Sequence, residues 1–131
     1  MSKSEEILSI NEIKHLVDAF YGKVRRDELL GPIFNEQIGD RWPEHLEKMY
    51  RFWQTVLLNE HSYSGSPFPP HARLPIGKDH FDGWLHIFRE TVDENFTGSK
   101  AEEAKWRAGK MAEMFQYKIR HIQSSGKKSI Y

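Results

Sequence analysis

The chain has 131 residues, a length suited to one domain with a single hydrophobic core. Its 19 basic and 19 acidic residues cancel, which excludes strong electrostatic attraction to nucleic acid or to an anionic membrane. The lack of cysteine excludes disulfides, thiolate metal sites and cysteine nucleophiles, and it suits a reducing cytoplasm. The sequence also lacks a signal peptide and a transmembrane stretch. We expect one cytoplasmic domain over 1–131, with frayed ends at 1–8 and 124–131.

Apolar residues recur at spacings of three and four after Ser9, which predicts an amphipathic helix. Ser9 and Glu12 have the spacing of a capping box, which satisfies two backbone N–H groups at the start of a helix. The pair Gly31-Pro32 ends or bends this region. Residues 33–38 are then expected to form a short turn or a single helical turn.

Three further helices are predicted from the same periodicity. One follows Asp40, one covers about 79–92, and one opens at Ser99, where Glu102 supplies a second capping box. No segment shows the alternating pattern of a strand. The sequence therefore predicts the all-α fold class.

The segment 61–77 interrupts this helical pattern because it carries four prolines and two glycines. A connection of this length in a compact helical domain usually serves a function, and His71 lies near its centre. Neutral imidazole is the commonest metal ligand in proteins, and the preceding Pro69 and Pro70 limit the backbone freedom around it. The segment alone also fits a surface histidine without a role.

Tyr21, His45 and Trp84 are polar aromatic residues on or beside the apolar stripes of three different helices. Each alone also fits an ordinary core or boundary position. Large flat side chains on several helices suit either a packed core or a pocket for a planar apolar ligand. The other aromatic residues on these stripes are Phe20, Phe34, Phe52, Trp53, Phe81 and Phe88.

Three other kinds of site are excluded because the residue spacing or the motif that each needs is absent. His80 and His86 are six residues apart, so they point to nearly opposite faces of a helix, and no zinc-binding HExxH occurs. A serine hydrolase would need a G-x-S-x-G turn, and a nucleotide site would need a P-loop or GxGxxG. None of these motifs is present.

Six sequence features follow one another in order: AFYGKVRRD with Phe20 and Tyr21, LGPIF, Trp42-x-x-His45, Phe52-Trp53, GSPFPPHARLP with His71, and HFDGWLHIF with Trp84. Together they resemble the group III truncated haemoglobins over roughly residues 10–122. Several motifs in the right order are far more specific than any one of them. The resemblance implies a globin-like fold in which helices pack two over two around haem b, iron protoporphyrin IX.

The resemblance also implies the roles of individual residues. His71 would be the proximal ligand of the haem iron, and Tyr21, His45 and Trp84 would line the distal side. Among the haem-contacting residues, Lys48, Arg73 and His80 are candidates to pair with the propionates. The full set of implied contacts is Phe20, Phe34, Lys48, Met49, Phe52, Trp53, Arg73, Leu74, His80, Phe81 and Phe115.

Such a site is expected to bind oxygen, nitric oxide, carbon monoxide or peroxide. The Tyr21 hydroxyl and the Trp84 indole N–H are donors that would hold oxygen tightly, which suits nitric oxide or peroxide chemistry better than oxygen transport. Such chemistry would need an electron donor, and whether the protein is an enzyme stays open. The chain is expected to be a monomer or a weak dimer, and a helical interaction module without a cofactor is the alternative.

Overall fold

The computed structural model describes residues 5–60, residue 63 and residues 76–126, the side chains being described up to residue 123. These residues form five helices, which confirms the all-α prediction: α1 (Ile10–Arg26), α2 (Gly31–Ile38), α3 (Trp42–Leu58), α4 (Lys78–Asn95) and α5 (Ser99–Gly126). Helix α1 packs against α2, α3 and α4, and α4 packs along α5. Within the described residues, no helix is long and apolar enough to span a membrane.

Helix α1 begins as the sequence predicts. The Ser9 hydroxyl accepts a hydrogen bond from the N–H of Asn11 at 3.2 Å, and the Ser9 N–H donates to the Glu12 carboxylate at 2.8 Å. The Ser9 side chain also accepts from the backbone N–H of Glu12, which completes the capping box, and its hydroxyl donates to the Glu12 carboxylate at 2.8 Å. The hydrogen bond from the Ser9 side chain is the main reason that the pKa of Glu12 lies below its usual value. The apolar stripe that follows is buried: Ile13, Leu16, Val17, Phe20, Tyr21 and Val24.

We expect Ser9→Ala to lower the free energy of unfolding by about 1 kcal/mol, because it leaves N–H groups at the start of α1 without an acceptor. Urea unfolding followed by circular dichroism measures this. Ser99→Ala is the matched control, since Ser99 lies inside α5, and it should cost less than half as much. Equal losses from the two substitutions would contradict a capping role for Ser9.

The second predicted capping box, at Ser99, is wrong. Ser99 is the first helical residue of α5, and the N–H of Glu102 donates to the carbonyl of Gly98 at 3.2 Å. Gly98 has a positive φ of 96°, which glycine adopts readily. The preceding turn therefore starts α5, and Ser99 does not occupy the N-cap position that a capping box requires.

The prediction that residues 1–8 are frayed does not hold for residues 5–8, which are the part of this segment that the structure describes. Ile7 is completely buried, and Glu5 forms an isolated parallel bridge with Phe96. The N–H of Glu5 donates to the carbonyl of Asn95, and the N–H of Thr97 donates to the carbonyl of Glu5. At the other end, α5 continues through 124–126, where fraying was expected.

The buried apolar residues form two clusters. The larger one joins α1, α3 and α4 with the amino-terminal half of α5. The smaller one contains Phe81, Ala112, Phe115 and Ile119, from α4 and α5. Trp84 packs against both clusters, so this tryptophan lies where the two parts of the core meet.

Candidate functional site

Tyr21 and His45 meet where α1 faces the first turns of α3. Their ring centroids are 5.2 Å apart at an interplanar angle of 84°, so one ring presents its edge to the other. Trp42, one turn before His45, contacts both rings at centroid distances of 5.7 and 5.6 Å. The next residue, Pro43, is suited to the first turn of a helix, so α3 can begin at Trp42.

Phe20 connects this group to α4. Its ring lies 4.8 Å from that of Tyr21 and 5.5 Å from that of Trp84, with edge-to-face geometry in both pairs. Beyond it, Trp84, Phe88 and Trp53 form a continuous stack with centroid spacings of 5.7 and 5.1 Å. The predicted distal residues Tyr21, His45 and Trp84 therefore belong to one aromatic cluster contributed by α1, α3 and α4.

Burial controls the protonation of the Tyr21 phenol. Its side chain lies inside the cluster, and this desolvation raises the pKa of the hydroxyl far above its usual value. A phenolate would lose its hydration there, so the neutral form prevails. Tyr21 consequently keeps a proton that it can donate in a hydrogen bond throughout the physiological pH range.

Trp42 places a second unusual polar group in this region. It is only 5% exposed, and its Nε1 atom is buried without a hydrogen-bond partner among the described residues. The guanidinium of Arg25 lies 4.5 Å from its ring centroid, as in a cation–π contact. The Nε2 atom of His45 is buried as well. A buried donor without a partner is costly, so the indole N–H of Trp42 is a candidate to meet a ligand or a water molecule.

The predicted haem contacts are distributed unevenly around this cluster. Phe20 and Trp53 are buried in it, whereas Phe34, Met49 and Phe52 are half-buried at its border. Phe81 and Phe115 lie in the smaller cluster, which meets the larger one at Trp84. His71, Arg73 and Leu74 lie outside the described residues.

The two described propionate candidates differ in their surroundings. Lys48 is exposed on α3, and its position three residues after His45 places it on the same side of the helix. His80 is half-buried, and its Nδ1 atom accepts a hydrogen bond from the N–H of Gly77 at 3.1 Å. His80 therefore helps to begin α4, a role that its sequence context did not indicate.

Trp42 is a site residue that sequence reasoning missed. The motif Trp42-x-x-His45 contributes to the family resemblance, but no local pattern gave the tryptophan a role. Its position three residues before His45 places both side chains on one face of α3. That spacing was the available signal.

Comparisons with known proteins identify the family of this chain. The bacterial-like globin family matches residues 5–120. A group 3 truncated haemoglobin of Campylobacter jejuni subsp. jejuni is 36% identical over 115 residues, covering 85% of this chain and 91% of the relative. The chain belongs to the group III truncated haemoglobins.

The fold of this truncated haemoglobin agrees with that of a solved relative. The crystal structure of a group III truncated haemoglobin from Campylobacter jejuni is 35% identical, with a TM-score of 0.81. The match covers 88% of this chain and 94% of that one. This confirms the predicted globin-like fold, and globins are haem proteins that bind small diatomic ligands such as oxygen.

The described residues of this truncated haemoglobin fit a haem group. Apolar side chains that are only half-buried adjoin the aromatic cluster on four helices, and a planar apolar ligand would cover such surfaces. The polar groups of the cluster are a phenol, an imidazole and three indoles, which offer donors rather than negative charge. Half-buried apolar residues that pack against the larger core cluster on these four helices include Phe34, Ile38, Leu46, Met49, Phe52, Trp84, Leu85 and Met111.

Proposed function

We propose that this truncated haemoglobin binds haem b through His71 and retains oxygen and related diatomic ligands beside Tyr21, His45 and Trp84. The observation that carries the proposal is the single aromatic cluster that joins these three side chains from three helices. When haem is bound, its iron would supply the chemistry with oxygen. The protein would tune that chemistry through the histidine that ligates the iron and through nearby hydrogen-bond donors.

Tyr21 is the principal donor in this proposal. Its phenol is neutral at physiological pH, burial raises its pKa further, and the edge contacts with Phe20 and His45 restrict the orientation of the ring. A donor whose direction is fixed in advance loses little entropy when it engages a ligand. Tyr21 is therefore suited to hold a ligand that carries partial negative charge.

Trp84 supplies a second donor from α4. Its ring stacks on Phe88 at an interplanar angle of 11° and meets Phe20 edge-on at 89°, so packing fixes it from two directions. An indole N–H can donate but cannot accept a hydrogen bond. Trp84 thus favours ligands that accept hydrogen bonds over less polar ones such as carbon monoxide.

His45 lies between Tyr21 and the start of α3, and it would control access to the distal side. Its side chain is half-buried, so it reaches from the cluster toward the protein surface. On the same helix, the exposed Lys48 would pair with a haem propionate. Exposed ion pairs contribute about 0–1 kcal/mol, so Lys48 would orient the haem, while apolar burial would supply most of the affinity.

Two hydrogen-bond donors beside bound oxygen, Tyr21 and Trp84, are better suited to a reaction that consumes oxygen than to the delivery of oxygen. Slow release is a disadvantage for a carrier, but it lengthens the time available for reaction with nitric oxide. We therefore propose nitric oxide or peroxide chemistry in the cytoplasm, with electrons supplied by a separate donor protein. Steady turnover of nitric oxide with a reductase would support this role, and stoichiometric consumption alone would contradict it.

Titration of the purified protein with haemin tests the proposal as a whole. We expect one equivalent to bind and to produce a Soret band characteristic of a histidine-ligated haem. The cofactor-free interaction module predicts no band beyond that of free haemin. Failure to take up haemin in a folded protein would therefore overturn the proposed function.

A further inference from the structure

The outward face of α5 carries two large aromatic residues that the haem site does not use. The side chain of Tyr117 is 65% exposed and that of Trp106 is 59% exposed. Both lie opposite the buried stripe of α5 that includes Ala104, Ala108 and Phe115. Exposed aromatics on a regular helix face are typical of an interaction surface.

Charged residues complete this face at helical spacing. The outer α5 face, as we define it, consists of six exposed residues that follow one another at intervals of three and four: Glu102, Trp106, Lys110, Glu113, Tyr117 and Arg120. When the face is read backwards, from Arg120 to Glu102, each acidic position is matched by a basic one and each aromatic position by another aromatic one. The pattern is therefore complementary to a reversed copy of itself.

We propose that the outer α5 face pairs with the same face of a second copy of this chain, with the two helices antiparallel. A two-fold axis crossing α5 between residues 111 and 112 places Trp106 opposite Tyr117 of the second copy. The same axis places Lys110 opposite Glu113 and Glu102 close to Arg120. Isologous interfaces of two-fold dimers require this kind of self-complementarity.

The contacts within one chain permit this exchange of partners. The Lys110 ammonium lies 3.8 Å from the Glu113 carboxylate and 5.8 Å from the ring centroid of Trp106. Exposed pairs such as these hold side chains weakly, so the same groups can pair across an interface instead. An open groove of about 320 Å³ between α4 and α5, bordered by Trp106 and Phe81, adjoins the face and can receive partner side chains.

The interface is small and all its charged residues are exposed in the single chain, so the dimer is weak, with a dissociation constant of roughly micromolar to millimolar. Sedimentation equilibrium of the full-length protein over a range of concentrations measures this constant. We expect Lys110→Glu and Glu113→Lys each to raise it by about tenfold or more, because each places like charges opposite each other twice per dimer. Glu36→Lys, on the exposed surface of α2, makes the same charge change as Glu113→Lys and should have little effect.

An equimolar mixture of the two single variants distinguishes this pairing from other causes. In a mixed dimer the Lys110→Glu chain faces the Glu113→Lys chain, so that opposite charges meet at both contacts. The mixture should therefore associate more tightly than either variant alone. A wild-type protein that stays monomeric at millimolar concentration, charge variants without effect, or a mixture without rescue would each overturn the proposal.

Discussion

Replacing His71 with alanine is expected to abolish histidine ligation of the haem and to lower haem affinity by about 100-fold or more. Loss of residues that merely orient a metal ligand typically costs about 10–100-fold, so loss of the ligand itself should cost at least as much. Absorption spectra should lose the Soret position typical of a histidine-ligated haem. Competition with apomyoglobin would then measure the loss of affinity.

His86→Ala is the control for His71→Ala. His86 is an exposed histidine on α4, and its replacement should leave the haem spectrum unchanged. His71→Gly offers a second test, because added imidazole can occupy the space of the missing side chain and restore the band. An unchanged spectrum in His71→Ala would show that another residue is the proximal ligand.

The second large effect is expected from Tyr21→Phe. This change removes one hydroxyl and keeps the ring that packs against Phe20 and His45. Hydrogen bonds to charged groups contribute about 1.5–3 kcal/mol, which corresponds to roughly a tenfold to hundredfold change in an equilibrium constant. Oxygen should dissociate faster by about that factor in stopped-flow or flash-photolysis measurements, and carbon monoxide should dissociate at nearly the wild-type rate.

Tyr50→Phe provides the matched control, since it removes a phenol outside the aromatic cluster. The Tyr50 hydroxyl donates to the Asp18 carboxylate on the surface between α3 and α1. Oxygen dissociation should not change in this variant. Equal oxygen rates in Tyr21→Phe and the wild type, with intact haem spectra, would remove Tyr21 from the set of distal donors.

Much of α1 could be predicted from sequence because its determinants are local. The Ser9–Glu12 capping box and the stripe that continues to Val24 depend on residues within a few turns of each other. The region after Gly31 was harder, because a short helix and a turn have similar sequences. In the structure Gly31 begins an eight-residue helix, and a Cβ there would lie 2.8 Å from the Arg25 carbonyl oxygen. Such close approach depends on how the chain folds back, which periodicity does not encode.

In the candidate site, too, local features could be predicted from sequence and tertiary contacts could not. Periodicity placed Tyr21 on a buried stripe and His45 beside one, but their contact depends on how α1 packs against α3. The family resemblance supplied that pairing, and the structure brings the two rings together. The spacing of Trp42 and His45 indicated a shared helix face, but the contact of Trp42 with Tyr21 depends on tertiary packing, and the capping role of His80 depends on a loop contact. The roles of these residues toward haem stay proposals.

The bridge between Glu5 and Phe96 has a consequence for the order in which the protein assembles during synthesis. Glu5 leaves the ribosome early, whereas its partners Asn95 and Thr97 emerge only after four of the five helices. Closing so long a loop costs conformational entropy that local contacts do not repay. Glu5 therefore cannot form this bridge until the connection between α4 and α5 has been translated.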